Sequence, residues 1–188
     1  MLQSRIAAAL DEKMATDEVR SLLEIHLKTP GKVSVYYDAL SKCLINGHVV
    51  FTAMWSWWAF IGGPWYFFYR KMYKPGLIML GISILLCFVP IPFGSAIICV
   101  AAAIMAKYLY CKKFVSDLEI AGYPEKSGSE ISRSLGVLGG YNSWAIWAGV
   151  IVNIIILLAA LAAVLIGSVF SIIGLSNLIL GLSNLPEV

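Results

Sequence analysis

Apolar and polar positions divide the chain into an amphipathic N-terminal segment and a far more apolar remainder. Apolar side chains recur at helical spacing over residues 17–28 and again over 34–44, which predicts two amphipathic helices. Asn46-Gly47 is the expected C-terminal cap of the second helix. Six cations balance six anions before residue 48, so we expect this segment to pack on a partner or on a membrane surface.

The centre of the chain predicts a hairpin of two short apolar helices. Residues 76–106 contain no charged side chain, and as one helix they would measure ~46 Å, well beyond a hydrocarbon core of ~30 Å. Pro90 and Pro92 lie near the middle and favour a turn there. Cations at both ends predict that both ends are cytoplasmic. These are Arg70, Lys71 and Lys74 before the hairpin, and Lys107, Lys112 and Lys113 after it.

The preceding segment is unusually rich in aromatic rings and ends in cations: WSWWAFIGGPWYFFYRKMYKPG, residues 55–76. Tryptophan and tyrosine collect at the headgroup level of a bilayer, where lysine and arginine contact lipid phosphates. Gly62-Gly63-Pro64 predicts a bend within residues 49–69, which favours an interfacial or re-entrant segment; a true span is the alternative. The predicted membrane-interface residues are Trp55, Trp57, Trp58, Trp65, Tyr69, Arg70, Lys71, Tyr73, Lys74, Trp144 and Trp147.

The C-terminal part predicts one spanning helix and an apolar tail. Residues 144–167 form a long apolar stretch with tryptophans at positions 144 and 147, near its start, as expected for a membrane span. If the helix continued to residue 185 it would measure ~63 Å. It therefore either breaks near Gly167-Ser168 and returns, or projects beyond the membrane and requires partners to cover it.

Small and amide side chains repeat every seven residues along this part. On a helix they share one stripe, which also passes through Ala160. Small residues let helices approach closely in lipid, and asparagine offers hydrogen bonds across the contact. The stripe could pack within the chain, join identical subunits or line a polar pathway. The predicted helix-packing or oligomer seam consists of Asn153, Gly167, Gly174, Asn177, Gly181 and Asn184.

Composition supports the membrane interpretation. Hydrophobic residues make up 60% and charged residues 13% of the 188, against about 45–50% and 25% in soluble domains. The sequence therefore predicts an all-α integral membrane protein with four parts. They are a cytoplasmic amphipathic segment (1–47), the aromatic segment with a transmembrane hairpin (48–113), a cytoplasmic Gly/Ser-rich loop (114–142), and a transmembrane helix with its tail (143–188).

Candidate chemistry is sparse. No metalloprotease, nucleophile-elbow, P-loop or dinucleotide-binding motif is present, so we expect no catalytic, cofactor or metal site. His26 and His48 are expected at the surface or at an interface. The cysteines at 43, 87, 99 and 111 form no CxxC motif and suit apolar packing, although Cys87 and Cys99 could face each other across the hairpin. No basic patch of the kind that binds nucleic acid is present.

A family resemblance rests on FIGGPWYFFYRKMYKPGLIMLG, the Pro-containing hairpin and the later AKYLYCKK. This arrangement resembles a widespread family of uncharacterised bacterial inner-membrane proteins, known as a domain of unknown function, over about residues 45–115. The resemblance implies a bacterial membrane location and supplies no catalytic residues. The matching positions are Phe60, Gly63, Pro64, Trp65, Tyr69, Arg70, Lys71, Met72, Tyr73, Gly76, Tyr108 and Tyr110.

These observations favour a non-catalytic, multi-pass protein of the bacterial cytoplasmic (inner) membrane with its N-terminus in the cytoplasm. Its expected partners are membrane lipid, further copies of itself and other membrane proteins, which it would engage as a scaffold, accessory subunit or regulator. A homo-oligomeric pore is the alternative, and a membrane-surface enzyme acting on lipid is a third class. No Asp, Glu, Lys, Arg or His lies in 76–106 or 144–185, which argues against ion-coupled transport by a single copy.

Overall fold

The computed structural model describes residues 2–14, 16–88, 94–126 and 128–183, without the side chains of 2, 3, 87, 88, 95 and 175–183. It divides the chain into two compact units, residues 1–146 (the helical domain) and residues 147–188. Nine α-helices account for most of the described residues, which confirms the all-α class. They are α1 (Leu2–Lys13), α2 (Asp17–Leu27), α3 (Val33–Cys43), α4 (Trp57–Gly62), α5 (Pro64–Tyr69), α6 (Tyr73–Phe88), α7 (Gly94–Ala121), α8 (Ser129–Leu138) and α9 (Trp144–Ser183).

The two predicted N-terminal helices are present as α2 and α3, and α1 precedes them. Helix α2 ends where Lys28 adopts a left-handed conformation, with φ of 52°, and a 3-10 turn over Pro30–Lys32 leads into α3. Val33, Tyr36 and Leu40 of α3 are buried, so the apolar stripe seen in the sequence is the face that packs inward.

Asn46-Gly47 forms a hairpin turn and not the helix cap that the sequence suggested. Strand β1 (Leu44–Ile45) pairs antiparallel with β2 (His48–Val49). Both turn residues have positive φ, 51° and 71°, as a two-residue type I′ turn requires. A Cβ on Gly47 would lie 2.9 Å from Cβ of Ala8, so the hairpin packs directly against α1.

The bend predicted in the aromatic segment is present. Helix α4 ends at Gly62 and α5 begins at Pro64. Gly63 between them has φ of 48° and ψ of −131°, a conformation for which glycine has no steric penalty. Proline suits the first position of α5 because its missing N–H would have no helical partner there.

Helix α7 is the central element of the helical domain and contacts α1, α3, α4, α5, α6 and α8. Its buried stripe follows helical spacing through Ala103, Ala106, Tyr110, Phe114 and Leu118. The 28 residues of α7 give a length of ~42 Å, so only its first half corresponds to the second arm of the predicted hairpin. Residues 89–93, where the turn was expected, lie outside the described residues.

The expected loop over 114–142 is instead mostly helical. Helix α7 continues to Ala121, because no glycine or proline interrupts it and Phe114 and Leu118 extend its apolar stripe. Helix α8 then covers Ser129–Leu138 and buries Ile131 and Leu135. The cations that suggested an exit from the membrane therefore lie along a continuing helix.

Helix α9 is continuous over Trp144–Ser183, without the break considered near Gly167-Ser168 and without a separate tail helix. Its segment Trp144–Gly174, with a mean hydropathy of 3.0, is the one helix in the described part of the chain that is long and apolar enough to cross a membrane. Helix α6, with 16 residues, is shorter than the ~20 residues that a span requires.

Candidate functional site

The aromatic segment contributes to an exposed apolar surface on the helical domain. Trp57 and Trp58 are each 66% exposed and Ile61 is 76% exposed. The Nζ atom of Lys32 lies 4.6 Å from the ring centroid of Trp58. Helix α6 and the start of α7 also carry exposed apolar residues: Leu77, Ile78, Ile82, Ile84, Leu85 and Ile97. An apolar surface of this kind indicates a membrane or protein contact.

The other predicted interface residues of the helical domain occupy mixed positions. Lys74 and Tyr73 are exposed, whereas Trp65 and Tyr69 are half-buried. Tyr73 accepts a hydrogen bond from Nδ2 of Asn142. Trp55 and Trp144 are exposed, as is Trp147 in the second unit. Their contact with lipid headgroups stays a prediction.

Arg70 is buried, with 1% of its surface exposed, so the expectation that it reaches the membrane surface is wrong. Its Cζ atom lies 5.5 Å from the ring centroid of Tyr36, 5.3 Å from that of Tyr69 and 5.8 Å from that of Tyr110. Within the described residues, its Nε and Nη1 atoms have no hydrogen-bond acceptor. The electron-rich ring faces stabilise the cation in the interior. They take the place of the lipid phosphate that was expected from the sequence as the partner of Arg70.

A polar cluster of His26, Tyr110, Lys113 and Asp117 lies next to Arg70 and the tyrosine rings around it. It connects α2 with α7. Nδ1 of His26 is 2.7 Å from the hydroxyl of Tyr110, and its Nε2 is 2.7 Å from Oδ2 of Asp117. Lys113 also donates to Oδ2 of Asp117, and to the carbonyl oxygen of Leu138 at 3.2 Å. His26 is 1% exposed, so the expectation of a surface histidine is wrong.

The cluster defines the protonation state of the histidine. Burial lowers the pKa of His26, although the hydrogen bond to Asp117 opposes the shift, which favours the neutral imidazole. A carboxylate can only accept, so Nε2 carries the proton and donates to Asp117, while Nδ1 accepts from the hydroxyl of Tyr110. Burial alone would raise the pKa of Asp117, but the hydrogen bonds from His26 and Lys113 outweigh it and the pKa is lowered.

Lys71 is engaged with the end of α8 and is half-buried. It donates to the carbonyl oxygens of Val137 at 3.2 Å and Gly139 at 2.7 Å. The last carbonyls of a helix lack partners within the helix and carry partial negative charge, so a lysine there satisfies them and stabilises the helix end. The amide of Gly140 donates to the carbonyl oxygen of His26 at 2.7 Å. The ends of α2 and α8 therefore meet at the polar cluster.

Of the predicted seam on α9, the structure describes Asn153, Gly167 and Gly174 fully. Nδ2 of Asn153 donates to the carbonyl oxygen of Gly149 in the same helix, at 2.7 Å. A Cβ added at Gly167 or Gly174 would meet no described atom within 4 Å. The side chain of Asn177 is not described, Gly181 lies in the same stretch of α9, and Asn184 lies outside the described residues. The role of the seam stays a prediction.

Cysteines and metal ligands add no site in the described residues. Cys43 and Cys111 are buried free thiols and Cys99 is half-buried. The side chain of Cys87 is not described, so the possible Cys87–Cys99 pairing lies outside the described residues. No group of three or more potential metal ligands comes together in the described part of the chain.

Sequence reasoning missed the buried cluster because its members are far apart in the chain. Arg70 stands among cations and aromatic residues in the sequence, which is typical of a membrane interface. The signal that could have revealed the cluster is the helical spacing of Tyr110, Phe114 and Asp117 on α7, because it places all three near one face. Their partner His26 lies on the apolar face of α2.

Acidification is expected to destabilise the helical domain through His26. Because its pKa is lowered by folding, the unfolded chain binds the additional proton below about pH 6.5. The contribution of the neutral His26 to the stability of the folded state is complete above that pH. It is lost as the pH falls toward the pKa of His26 in the folded state. Asp117, whose pKa is also lowered, adds a further loss below about pH 4.

The measurement is the unfolding temperature of the detergent-solubilised protein between about pH 7 and about pH 5. His26→Gln, which cannot titrate, should flatten the decline, whereas His48→Gln on the exposed β2 strand should leave it unchanged. An equal decline in all three proteins would exclude His26 as the group responsible.

The comparisons with known proteins find one family. A family model described as "Protein of unknown function (DUF2628)" matches residues 27–113. No curated protein and no solved structure matches the chain. The resemblance to a domain of unknown function is therefore confirmed. The match begins earlier than the sequence motifs suggested. It includes α3, the β1–β2 hairpin, α4 to α6 and most of α7, while α1, most of α2, α8 and α9 lie outside it.

Proposed function

We propose that the protein is a non-catalytic, multi-pass component of the bacterial cytoplasmic (inner) membrane that acts through protein–protein contacts, as a scaffold, accessory subunit or regulator. We further propose that it associates with itself through α9. The observation that carries this proposal is the surface of α9, on which every side chain from residue 151 to 174 is exposed. A long apolar helix needs lipid, a partner or both around it.

The exposed apolar surface of α4 and α6 supports a second attachment to the membrane. Helix α6 measures ~24 Å and the apolar residues 94–106 of α7 measure ~20 Å. Both are shorter than a ~30 Å hydrocarbon core, so the hairpin would thin the bilayer locally or end within it. The tryptophans of α4 would then lie at the headgroup level, as expected for an interfacial segment.

The packing of the N-terminal helices supports a cytoplasmic N-terminus. Helices α1 and α3 contact α7, and Leu10, Leu40 and Phe114 belong to one hydrophobic core. The half of α7 that begins at Lys107 is the part that the cation distribution assigns to the cytoplasm. Packing of α1 to α3 against this half requires them to lie on the same side of the membrane.

The length and periodicity of α9 support self-association. At 40 residues it measures ~60 Å, about twice the hydrocarbon thickness, so a considerable apolar length requires cover outside the bilayer. Gly167 and Gly174 would let a second copy of the helix approach closely. A homo-oligomeric pore is the alternative, which the amide residues Asn153 and Asn177 of α9 favour.

The buried polar cluster supports a structural role over a catalytic one. His26 and Tyr110 are each 1% exposed, and a general base must come within hydrogen-bond distance of a substrate proton. The side chains of the cluster form hydrogen bonds with one another and connect α2, α7 and α8. Such a network stabilises the packing of helices in a folded core.

Gly174→Leu is expected to weaken self-association about tenfold, because a bulky side chain prevents close helix approach and about 1.4 kcal/mol of packing energy is lost. Native mass spectrometry on protein extracted in mild detergent measures the distribution of oligomers. Ala162→Leu is the matched control, since residue 162 lies on the opposite face from Ala160 of the stripe.

An unchanged distribution for both Gly167→Leu and Gly174→Leu would contradict the seam. Conductance in reconstituted bilayers separates the two functions: in a pore, Asn153→Leu and Asn177→Leu change ion flux, whereas in a scaffold there is no flux to change.

A further inference from the structure

Contacts with α7 trace the path of residues 51–70, which contain α4 and α5. The first two contacts lie near the middle of α7. The ring centroids of Phe51 and Tyr108 are 5.2 Å apart, and the amide of Met54 donates to the carbonyl oxygen of Ile104 at 3.4 Å. From its beginning, the segment therefore runs toward the apolar N-terminal part of α7.

The tip of the segment lies at Gly63, where the chain turns back. A Cβ on Gly63 would lie 3.7 Å from Sγ of Cys99. Cys99 precedes Lys107 by eight residues, which is ~12 Å along the helix. At the end of the return, Cζ of Arg70 lies 5.8 Å from the ring centroid of Tyr110. Residues 51–70 therefore begin and end at the same level of α7, and we call them the re-entrant segment.

The backbone at the tip is hydrogen-bonded within the segment. The amide of Gly63 donates to the carbonyl oxygen of Ala59 at 2.8 Å, and its carbonyl oxygen accepts from the amide of Tyr66 at 3.3 Å. Pro64 has no N–H to satisfy. No Asp, Glu, Lys, Arg or His lies in residues 49–69. Because hydrocarbon offers backbone groups no hydrogen bonds, these features suit a tip that lies among acyl chains.

Charge is distributed very unevenly along the chain. Residues 28–113 contain nine of the 14 lysines and arginines but only one of the 11 acidic residues, Asp38. The rest of the chain has five cations and ten acidic residues. Among the latter, Glu18 of α2 and Glu130 of α8 are exposed. The part of the helical domain that contains the re-entrant segment is therefore strongly basic, whereas α2 and α8 carry acidic residues.

Five lysines lie close to the level at which the re-entrant segment begins and ends. Nζ of Lys32 is 4.6 Å from the ring centroid of Trp58, and the carbonyl oxygen of Lys42 accepts from the hydroxyl of Thr52 at 3.1 Å. Two more lie on either side of Tyr108 on α7, and one lies in the first turn of α6. These exposed or half-buried residues, the lysine belt, are Lys32, Lys42, Lys74, Lys107 and Lys112.

We infer that the helical domain binds a leaflet of anionic phospholipid, with the re-entrant segment inserted among the acyl chains and the lysine belt in contact with the headgroup phosphates. The inference rests on the membrane location proposed above and adds a lipid class and an insertion depth to it. A depth of ~12 Å is less than half of a ~30 Å hydrocarbon core, so the segment stays within one leaflet. Ile61 contacts acyl chains, and Trp57 and Trp58 lie at their boundary with the headgroups.

Two observations favour lipid over a protein partner on this surface. The excess of lysines complements acidic headgroups. The chain also reaches the candidate spanning helix at the same level, because the amide of Asn142, two residues before α9 begins, donates to the carbonyl oxygen of Tyr69 at 2.8 Å.

Insertion is tested by electron paramagnetic resonance on the full-length protein in nanodiscs of phosphatidylcholine and phosphatidylglycerol. A nitroxide label is attached at Ile61→Cys after the four natural cysteines are replaced by alanine, and Ser129→Cys at the start of α8 is the aqueous control. We expect the label at residue 61 to be accessible to oxygen and shielded from a water-soluble nickel chelate, and the label at residue 129 to show the opposite.

A second measurement keeps the natural cysteines. Brominated phosphatidylcholine quenches the fluorescence of tryptophans that contact acyl chains. Replacing both Trp57 and Trp58 with phenylalanine should reduce the quenched fraction, whereas an unchanged fraction would contradict their contact with lipid.

Lipid class is tested with spin-labelled phosphatidylglycerol and phosphatidylcholine, which compare the two lipids in the shell around the protein. We expect a preference for phosphatidylglycerol that α9 cannot supply, since no lysine or arginine follows residue 133. Replacing Lys32, Lys74 and Lys107 together with glutamine should reduce the preference at least about fivefold, the contribution of one lysine near an anionic surface. Lys126→Gln, between α7 and α8, is the control and should leave it unchanged.

The outcomes separate this inference from its alternatives. Access of the nickel chelate to the label at residue 61 would overturn insertion, and equal association of the two lipids would overturn the anionic preference. A label shielded from both oxygen and the chelate would show that protein covers the segment, which would refute the lipid contact. The oligomer distribution of Gly174→Leu tests self-association through α9 independently, so a failure here is distinguishable from a failure of the proposed function.

Discussion

Replacing Asp117 with alanine is expected to lower the free energy of unfolding of the helical domain by about 3 kcal/mol. The carboxylate accepts from His26 at 2.7 Å and from Lys113, and its side chain is 10% exposed. Alanine leaves the ammonium of Lys113 without its counter-ion and Nε2 of His26 without its acceptor. Removing one partner of a buried ion pair costs more than the pair contributes, because the remaining group stays desolvated.

Urea unfolding in detergent micelles, followed by tryptophan fluorescence, measures this change. Asp117→Asn keeps the volume and an acceptor for His26, so it should cost about half as much. Glu18→Ala removes an exposed ion pair, 3.0 Å between Nζ of Lys13 and the carboxylate, and should have no measurable effect on unfolding. Equal stability of the Asp117 and Glu18 variants would mean that the buried cluster does not stabilise the domain.

Gly139→Ala is expected to destabilise the domain by about 2–3 kcal/mol, a typical cost for overpacking in a well-packed interior. A Cβ at this position would lie 2.3 Å from the carbonyl oxygen of His26 and 2.8 Å from its Cα. Because these are backbone atoms, side-chain rotation cannot relieve the clash. The two helix ends must separate, which breaks the hydrogen bond from Gly140 to His26 and displaces the carbonyl that Lys71 binds.

The matched control lies on the same helix. A Cβ at Gly136 would meet only Cγ2 of Ile25, at 3.9 Å, which is ordinary contact. Alanine is favoured over glycine in a helix interior by about 1 kcal/mol, so Gly136→Ala should raise the unfolding temperature. Opposite signs for the two glycine-to-alanine changes are the expected result. A fall of similar size in both would show that the contact between α8 and His26 is not the cause.

The sequence predicted those parts of the fold that depend on neighbouring residues, such as the buried face of a helix or a bend at glycine and proline. The apolar spacing over residues 34–44 predicted the face of α3 on which Tyr36 and Leu40 are buried, and Gly62-Gly63-Pro64 predicted the bend between α4 and α5. Asn46-Gly47 was ambiguous, because the same pair suits a helix cap and a hairpin turn. The hairpin forms because its strands pair and its turn packs on α1, a contact that no local pattern contains.

The site was harder to predict because its energetics depend on residues that are distant in sequence. Lys107, Lys112 and Lys113 predicted a membrane exit, since cations mark membrane flanks. Helix α7 continues past them because Tyr110, Phe114 and Leu118 have a core to enter. Arg70 is buried against the rings of Tyr36 and Tyr110, which approach it from α3 and α7. These two residues are distant from Arg70 in sequence, whereas its sequence neighbours suggested a membrane surface.

The limits of the family match divide the polar cluster. Residues 27–113 begin one position after His26 and end four positions before Asp117, so the matched segment contains Tyr110 and Lys113 without the groups that they bind. Both limits also fall inside or at the end of a helix, since α2 ends at Leu27 and α7 continues to Ala121. The region of sequence similarity is therefore smaller than the compact unit of residues 1–146, and a fragment cut at its limits would retain Tyr110 and Lys113 without His26 and Asp117.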